Sequence, residues 1–324
     1  MTRRIAVADV GGTHARFALA EIEGAHVESL SESVTLKTAE HATFQLAWQE
    51  FGRRAGIALP DELAIAFAGP VGGDLLKLTN NPWVICPALI EERLGVSRYT
   101  IVNDFGAVAY AVAELPPDAF AHLCGPDQPL PDSGVISIIG PGTGLGVAAL
   151  LGKNGGRYHV IETEGGHIDF APLDGLEDQI LQHLRKNLRR VSVERIVSGR
   201  GLWNLYEALC AIENKPMQIH DETDLWAAAT DASDSVAAAA LDRLCLSLGA
   251  VAGDLALAQG AVAVVIAGGV GHRLAGRLPL SSFRDRFIAK RRFERRMDEM
   301  PVKLITYPEP GLFGAAAAFA REHG

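Results

Sequence analysis

The stretch IAVADVGGTHARFALAEI, residues 5–22, decides the fold of this chain. An apolar, β-branched run from Ile5 to Val10 reaches a turn at Gly11-Gly12-Thr13, and a second apolar run extends from Ala15 to Ile22. A third strand is predicted from Val27 to Leu36. Three consecutive strands joined by tight turns are typical of an antiparallel meander, and we expect one here.

The same pattern returns in the second half of the chain. Val135 to Ile139 is apolar, Gly140-Pro141-Gly142-Thr143-Gly144 predicts a turn, and Val147 to Leu151 is apolar again. When Thr13 is aligned with Thr143, the two strand–turn–strand patterns match. A recurrence of the whole hairpin near the start of each half indicates an internal duplication.

Strands and helices alternate along the remainder of the chain, which indicates an α/β protein. Further strands are predicted at Leu63–Ala68, Tyr99–Val102, Tyr158–Ile161, Ala261–Ala267 and Val302–Ile305. Helices are predicted at Phe44–Phe51, Ala107–Leu115, Leu176–Leu188, Trp203–Ala211, Val236–Ala258 and Phe313–Ala320. Asn80, Asn81 and Pro82 mark a loop, and a Pro-, Asp- and Gly-rich segment from Pro116 to Gly134 separates the first unit from the second. A length of 324 residues favours two domains.

Composition and charge exclude several classes of protein. The chain is 48% hydrophobic with a net charge of −9, and no tail or face gathers the Lys and Arg that a nucleic acid requires. The four cysteines are far apart, so we expect buried free thiols in a reducing cytoplasm rather than a zinc site or disulfides. The apolar run after Arg4 stops at Asp9, too early for a signal peptide, and Leu255–Val270 predicts a buried helix end and strand rather than a membrane span.

Glycine-rich turns follow three of the predicted strands, at Gly11-Gly12-Thr13, Gly142-Thr143-Gly144 and Gly268-Gly269. Glycine lets several backbone N–H groups approach one phosphate oxygen, so together these turns favour a nucleotide site, although each alone is more typical of a plain tight hairpin. The chain lacks a P-loop motif and a dinucleotide-binding Gly-x-Gly-x-x-Gly. Asp104-Phe105-Gly106 matches a protein-kinase motif by chance, because the accompanying kinase motifs are absent.

Acidic residues and a histidine supply candidates for metal, sugar and proton chemistry. Asp9 precedes the first turn and suits a water-mediated Mg²⁺ anchor, or else a turn residue bonded to its own backbone. Asp104 follows Asn103 at a strand end, where it suits either a general base or a helix N-cap. Glu164 and His167 beside a glycine pair suit sugar hydroxyls, whereas metal ligation would need a third ligand. Glu194 is a further candidate, or a first-turn acid favoured by the helix dipole.

Five motifs in order resemble the bacterial glucokinases. They are Asp9–Arg16, Asn103-Asp104-Phe105, Gly140–Gly146, Glu164-Gly165-Gly166-His167 and Ser192-Val193-Glu194-Arg195. The similarity extends to Pro310–Gly314 and so covers essentially the whole chain. The zinc-binding cysteine cluster of the related ROK sugar kinases is absent, and His14 stands where asparagine is common in the family.

The resemblance implies a two-lobed actin-like ATPase (ribonuclease H-like) fold with a cleft between lobes. The small lobe is expected at residues 1–109 plus 310–324 and the large lobe at 110–309. It implies that Asp104 is the catalytic base and that Asn103, Asp104, Glu164, His167 and Glu194 bind glucose. Nucleotide contacts are implied at Ala8, Asp9, Val10, Gly11, Gly12, Thr13, Gly142, Thr143, Gly268 and Gly269, with Mg²⁺ held through water by Asp9.

The expected reaction is therefore transfer of the γ-phosphoryl group of MgATP to the 6-hydroxyl of glucose in a cytoplasmic homodimer. Neither nucleic acid nor membrane is expected as a partner. Two other hypotheses stay open from the residues: a kinase for another hexose, and a sugar-binding regulator that has lost catalysis.

Overall fold

The computed structural model describes residues 2–78, 81–152 and 157–324, so Asn80 of the predicted loop lies outside the described residues. Its strands are β1 Thr2–Val10, β2 His14–Glu23, β3 His26–Leu30, β4 Val34–Lys37, β5 Glu62–Phe67, β6 Leu76–Lys77, β7 Val84–Ile85, β8 Arg98–Asn103, β9 Phe120–Cys124, β10 Val135–Pro141, β11 Leu145–Leu151, β12 His159–Thr163, β13 Ala261–Ile266 and β14 Val302–Ile305. Its helices are α1 Phe44–Ala55, α2 Ile90–Leu94, α3 Asp104–Glu114, α4 Gly175–Leu184, α5 Gly199–Ile212, α6 Glu222–Asp231, α7 Ser235–Gln259, α8 Gly268–Arg273, α9 Phe283–Ile288, α10 Glu294–Asp298 and α11 Pro310–His323.

The chain divides into two compact units. The first contains Met1–Ala119, Val160–Glu162 and Tyr307–Gly324, and the second contains Phe120–His159 and Thr163–Thr306. The boundary expected at residue 109 falls inside α3, which stays with the first unit because the whole helix packs against α11. The return to the first unit begins at Tyr307, three residues before the expected one.

The first unit is built on a sheet in the order β3-β2-β1-β5-β8, with β4 also paired to β2. β1 and β2 are antiparallel, whereas β5 runs parallel to β1 and β8 parallel to β5. Along β1, alternate side chains face opposite sides of the sheet. Ala6 and Ala8 join the core beneath α1, while Ile5 and Val7 join the core beneath α11.

Aromatic packing fixes α1 on its face of the sheet. The helix begins after Thr43, whose hydroxyl accepts the Leu46 N–H, and it ends at Gly56 in the left-handed conformation. Phe44 and Phe51 of α1 pack on Phe17 of β2, with ring centroids 5.8 and 5.3 Å from that of Phe17. Aromatic rings at such separations stabilise the fold by more than the burial of their apolar surface alone would.

The second sheet repeats this topology in the order β12-β11-β10-β13-β14-β9, and all of its strands except the central residues of β12 belong to the second unit. Again a strand pairs antiparallel with its successor, β10 with β11, and two later strands add in parallel, β13 on β10 and β14 on β13. The predicted internal duplication is therefore confirmed at the level of strand order. The second unit differs by an added edge strand, β9, which pairs antiparallel with β14.

α7 is long and apolar enough to cross a membrane by length and composition, but 72% of its most apolar window is buried inside the protein. Leu241, Leu244 and Leu248 belong to the core of the second unit. The predicted buried helix end and strand are observed as the end of α7 and β13. α7 is thus the central core helix of this unit.

Three expectations are wrong in detail. The strand predicted at Val27–Leu36 is two strands, because the Leu19 N–H bonds the Ser31 hydroxyl instead of a backbone carbonyl and interrupts the ladder. β9 lies inside the segment predicted as a separator, where Pro and Gly outweighed the short apolar run Phe120–Cys124. Of the four cysteines, Cys86 is only half-buried.

Candidate active site

The first glycine turn closes the β1–β2 hairpin at the end of a buried strand. The Gly11 N–H donates to His14 O at 3.0 Å, so Gly12 and Thr13 form the tip of the turn. Thr13 is exposed, whereas Ala8 and Val10 have no accessible surface. Burial leaves these two residues no surface for a ligand, so the predicted nucleotide contact of this loop narrows to Gly11–Thr13 and the neighbouring Asp9.

Asp9 lies in a partly buried ionic cluster of the first unit. Its side chain is 23% exposed, and Oδ2 accepts from Arg16 Nη1 at 3.4 Å, while Arg16 Nε lies 3.8 Å from Glu309 Oε2. Burial raises the pKa of Asp9; Arg16 opposes this shift and Glu309 adds to it. Gly311, in the first turn of α11, packs on the carboxylate, where the helix N-terminus favours negative charge.

Asp9 could help to bind a metal ion only if a bound substrate and water supplied further oxygen ligands. Among residues 2–78, 81–152 and 157–324, no group of three or more His, Cys, Asp or Glu side chains is placed to hold a metal. Mg²⁺ is commonly bound by one or two carboxylates together with substrate phosphates and water. A single carboxylate at the mouth of a glycine turn fits that mode.

The junction of β8 and α3 separates the two roles that the sequence left open for Asp104. Asn103 is the N-cap: its Oδ1 accepts the N–H groups of Phe105 and Gly106 at 2.9 and 3.1 Å. Asp104 also accepts from the Phe105 N–H, at 2.9 Å, but it lies inside the first turn rather than at the cap. Its side chain is half-buried, so it is not enclosed in the core.

Asn103 is held on both sides. Its Nδ2 donates to Gly69 O at 3.1 Å, and its backbone N–H donates to Glu162 Oε1 at 3.0 Å. Gly106 leaves room for this glutamate, since a β-carbon there would collide with Glu162 Oε1. Glu162 precedes Glu164 by two residues in the sequence, but its role in holding Asn103 depends on a contact between residues 59 positions apart.

In the second unit, the turn Gly165–His167 presents Glu164 and His167 side by side. Glu164 Oε2 and His167 Nε2 lie 3.9 Å apart, and both side chains are more than half exposed. Gly166 is buried against the Leu145 backbone, where any side chain would collide with the carbonyl oxygen. The segment is therefore fixed to the second glycine hairpin while its two polar side chains stay accessible.

Glu194 contacts the same hairpin, which the helix-dipole explanation does not require. Its Oε2 accepts the Leu145 N–H at 3.0 Å, and it covers Gly144, which has no side chain to obstruct it. The structure thus brings Glu164, His167 and Glu194 to one hairpin end within the second unit.

The second and third glycine motifs form one assembly. The Gly142 N–H donates to Gly144 O at 2.8 Å, and Gly142 O accepts the N–H of Gly199, the first residue of α5, at 2.8 Å. Gly268 has φ of +77°, and a β-carbon there would lie 2.5 Å from Pro141 O. Gly268-Gly269 therefore begins α8 directly against the strand that leads to the exposed Thr143, rather than forming a separate hairpin turn.

Comparisons with known proteins identify the family of the chain. The family model for glucokinase matches residues 6–322. The chain is 61% identical to a glucokinase of Zymomonas mobilis over 319 residues, covering 98% of both chains, and 39% identical to a glucokinase of Paramagnetospirillum magneticum, covering 98% and 97%.

Solved structures show the same fold. A crystal structure of glucokinase from an Antarctic psychrotroph superimposes with a TM-score of 0.83 at 32% identity, covering 98% of both chains. A glucokinase from Balamuthia mandrillaris, crystallised with glucose, superimposes with a TM-score of 0.79 at 22% identity, covering 99% of this chain and 94% of that one. The predicted actin-like ATPase fold is confirmed by these neighbours.

Proposed function

Because the chain belongs to the glucokinase family, we propose that it transfers the γ-phosphoryl group of MgATP to the 6-hydroxyl of glucose, with Asp104 as general base. The family makes it an ATP-dependent hexose kinase. The observation that carries the proposal is the 61% identity over 98% of both chains, since the match extends along both units and nearly the whole length of the relative.

The position of Asp104 supports its role as base. Asn103 caps α3, so the fold does not need the Asp104 carboxylate as its N-cap. A base must reach the proton that it removes, and a half-buried carboxylate at a strand end satisfies this while remaining partly shielded from water. In phosphoryl transfer, such an aspartate accepts the proton of the attacking hydroxyl and orients its oxygen.

Glucose is proposed to bind to Asn103, Asp104, Glu164, His167 and Glu194. Carboxylate, amide and imidazole groups suit sugar hydroxyls because they accept or donate in a defined direction. The accessibility of Glu164 and His167, whose backbone segment is fixed on the hairpin, supports this assignment. Asn103 Nδ2 carries two hydrogens, and the bond to Gly69 O uses one of them.

ATP is proposed to contact Gly11, Gly12, Thr13, Gly142, Thr143, Gly268 and Gly269. The exposed tips at Thr13 and Thr143 support this, because backbone N–H groups of glycine turns bind phosphate oxygens at close range. When bound, Mg²⁺ would offset phosphate charge, and Asp9 would hold it through water. We further propose a cytoplasmic homodimer that acts on small molecules rather than on nucleic acid or membranes.

Replacement of Asp104 tests the proposal. We expect Asp104→Asn to lower kcat with glucose by at least ~10²-fold while the Kd for glucose changes little, because the amide keeps the shape but cannot accept the proton. Coupled ADP release measures kcat, and calorimetry measures the Kd. Asp118→Asn, an exposed change in the same unit, is the matched control.

The substrate is tested separately with a panel of glucose, mannose, fructose and glucosamine. The highest kcat/KM is expected for glucose. A higher value for another hexose would assign that sugar instead, and absence of ADP release with every sugar would support the non-catalytic regulator. Near-normal turnover of Asp104→Asn on glucose would contradict the role of Asp104 as base, but not the proposed reaction.

A further inference from the structure

Two side chains outside the glycine turn bond directly to its backbone. Gly12 O accepts from Thr38 Oγ1 at 2.7 Å and from Asn81 Nδ2 at 3.1 Å. The Thr38 N–H also donates to Thr13 O at 3.0 Å. We call Thr38 and Asn81 the loop brace. Both belong to the first unit, and neither is adjacent to the turn in sequence.

The loop brace is itself held in place. Thr38 is 1% exposed and begins a short turn directly after β4. Asn81 Oδ1 accepts the Trp83 N–H at 2.8 Å, and the buried Trp83 indole donates to His41 O at 2.8 Å. Buried polar groups whose partners are fixed hold one geometry, because another geometry would leave a donor or acceptor unsatisfied.

Anchoring a carbonyl also sets the direction of the neighbouring N–H. A trans peptide is planar, and its C=O and N–H point in opposite directions. Since Gly12 O is directed at Thr38 and Asn81, the Thr13 N–H of the same peptide is directed away from them. Glycine permits a wide range of backbone angles, so without the anchor this peptide would populate other orientations.

The duplicated hairpin repeats the arrangement independently. Gly142 takes the place of Gly12 when Thr143 is aligned with Thr13, and Gly142 O is also anchored, by the Gly199 N–H at 2.8 Å. The peptide that precedes the turn threonine is therefore fixed in each unit. One unit uses two side chains for this, and the other uses a backbone amide.

We propose that Thr38 and Asn81 are positioning residues that preset the Thr13 N–H for the phosphates of ATP. This rests on the proposed function of the first turn as a phosphate-binding loop. The loop brace acts through the loop and does not itself touch substrate. Without the loop brace the loop stays in place, but the Gly12–Thr13 peptide must become ordered when nucleotide binds, and this ordering costs binding free energy.

The test uses Thr38→Val, which removes the hydroxyl but keeps the side-chain shape, and Asn81→Ala. We expect each change to raise the KM for MgATP and the Kd for MgADP by about five- to tenfold, as for loss of one hydrogen bond. The KM for glucose should stay within about twofold. The double variant should raise the KM for MgATP more than the product of the single effects, because Gly12 O then loses both donors.

Thr38→Ser supplies the rescue, since it retains the hydroxyl and should restore the KM for MgATP to within about twofold of wild type. The matched control is Thr43→Val, which removes the N-cap hydroxyl of α1 in the same segment. It should lower the melting temperature, because α1 loses its N-cap hydrogen bond, without changing the KM for MgATP. Should Thr38→Val fail to fold, Asn81→Ala and Thr38→Ser carry the comparison.

An unchanged KM for MgATP in the folded single and double variants would overturn the proposal, as would parallel increases in the KM for both substrates. Wild-type protein that releases no ADP with glucose would instead contradict the proposed function. The two failures are thus distinguished by the activity of the unaltered chain.

Discussion

The Asp9 side chain lies between Arg16 and the first turn of α11, and burial raises its pKa. A raised pKa means that the folded chain holds this carboxyl proton more tightly than the unfolded chain does. The contribution of Asp9 to stability is therefore greatest below the unfolded value of 3.8 and is lost as pH rises through the folded pKa. Ionisation of Asp9 in the folded chain therefore lowers the free energy of unfolding, a cost that functional sites often retain.

We expect Asp9→Asn to raise the melting temperature at pH 7 and, if Asp9 holds Mg²⁺ through water as proposed, to lower kcat/KM for MgATP by ~10- to 100-fold. The lost ion pair with Arg16 contributes little, because Arg16 is 42% exposed. Calorimetry over pH 4–7 should show the stability gain shrinking as pH falls. Asp74→Asn, at an exposed loop position, is the control, and a lower melting temperature of Asp9→Asn would contradict this account.

At the residue scale, the sequence predicts which residues belong to the site better than it predicts the role of each one. Asn103-Asp104 at a strand end is sufficient to predict one cap and one candidate base, but the assignment depends on hydrogen-bond geometry at the helix start. Glu162 and Thr38 escape prediction for a different reason. Their partners, Asn103 and Gly12, lie far along the chain, and no local pattern encodes such contacts.

The packing of α11 on α3 joins the two ends of the first unit. Gly314 of α11 lies directly on Ala107 O of α3, and a β-carbon there would overlap that oxygen. The glycine is thus required by the close approach of two helices. Alanines on the same helix, such as Ala315 and Ala318, fill the remaining space against the sheet.

We expect Gly314→Val to lower the free energy of unfolding by at least ~2 kcal/mol, because neither helix backbone can give way without displacing α3 from β8. Chemical denaturation measures the change. Gly72→Ala is the matched control, since a β-carbon at Gly72 meets no atom within 4 Å. Equal stability of Gly314→Val and wild type would show that α11 shifts freely.

Apolar periodicity predicts the position of an element where packing in the core determines it, as for α1 and β14. The prediction fails where hydrogen bonds determine the ends of the element. Ser31 ends β3 by taking the place of a backbone acceptor, and β9 forms because β14 offers it an edge. Neither cause is visible in a window of a few residues.

For the whole molecule, the recurrence of one hairpin predicts the common strand order of the two units. What pattern reasoning missed is how each unit departs from the shared plan, through β4 in the first and β9 in the second. The boundary also shifts, because α3 follows its packing partner rather than the repeat.

Glucose binding should stabilise the whole chain by linkage. At a concentration 100 times its Kd, glucose is expected to add about 2.7 kcal/mol to the free energy of unfolding. Scanning calorimetry of wild type and Glu194→Gln tests this, and the variant should show a smaller shift at the same concentration. Galactose serves as the matched ligand control. The same shift with both sugars would contradict a specific hexose site.

The anchored peptides of the two hairpins differ in which substitutions can remove their hydrogen bonds. At Gly142 the donor is a main-chain amide, which every amino acid except proline supplies, so a substitution at Gly199 keeps the donor, although a β-carbon there would lie 3.3 Å from Gly142 O. At Gly12 both side-chain donors are encoded, and a single codon change at position 38 or 81 removes one. Substitutions can therefore remove the anchor of Gly12 O directly, whereas the anchor of Gly142 O is lost only through proline or a displacement of the backbone.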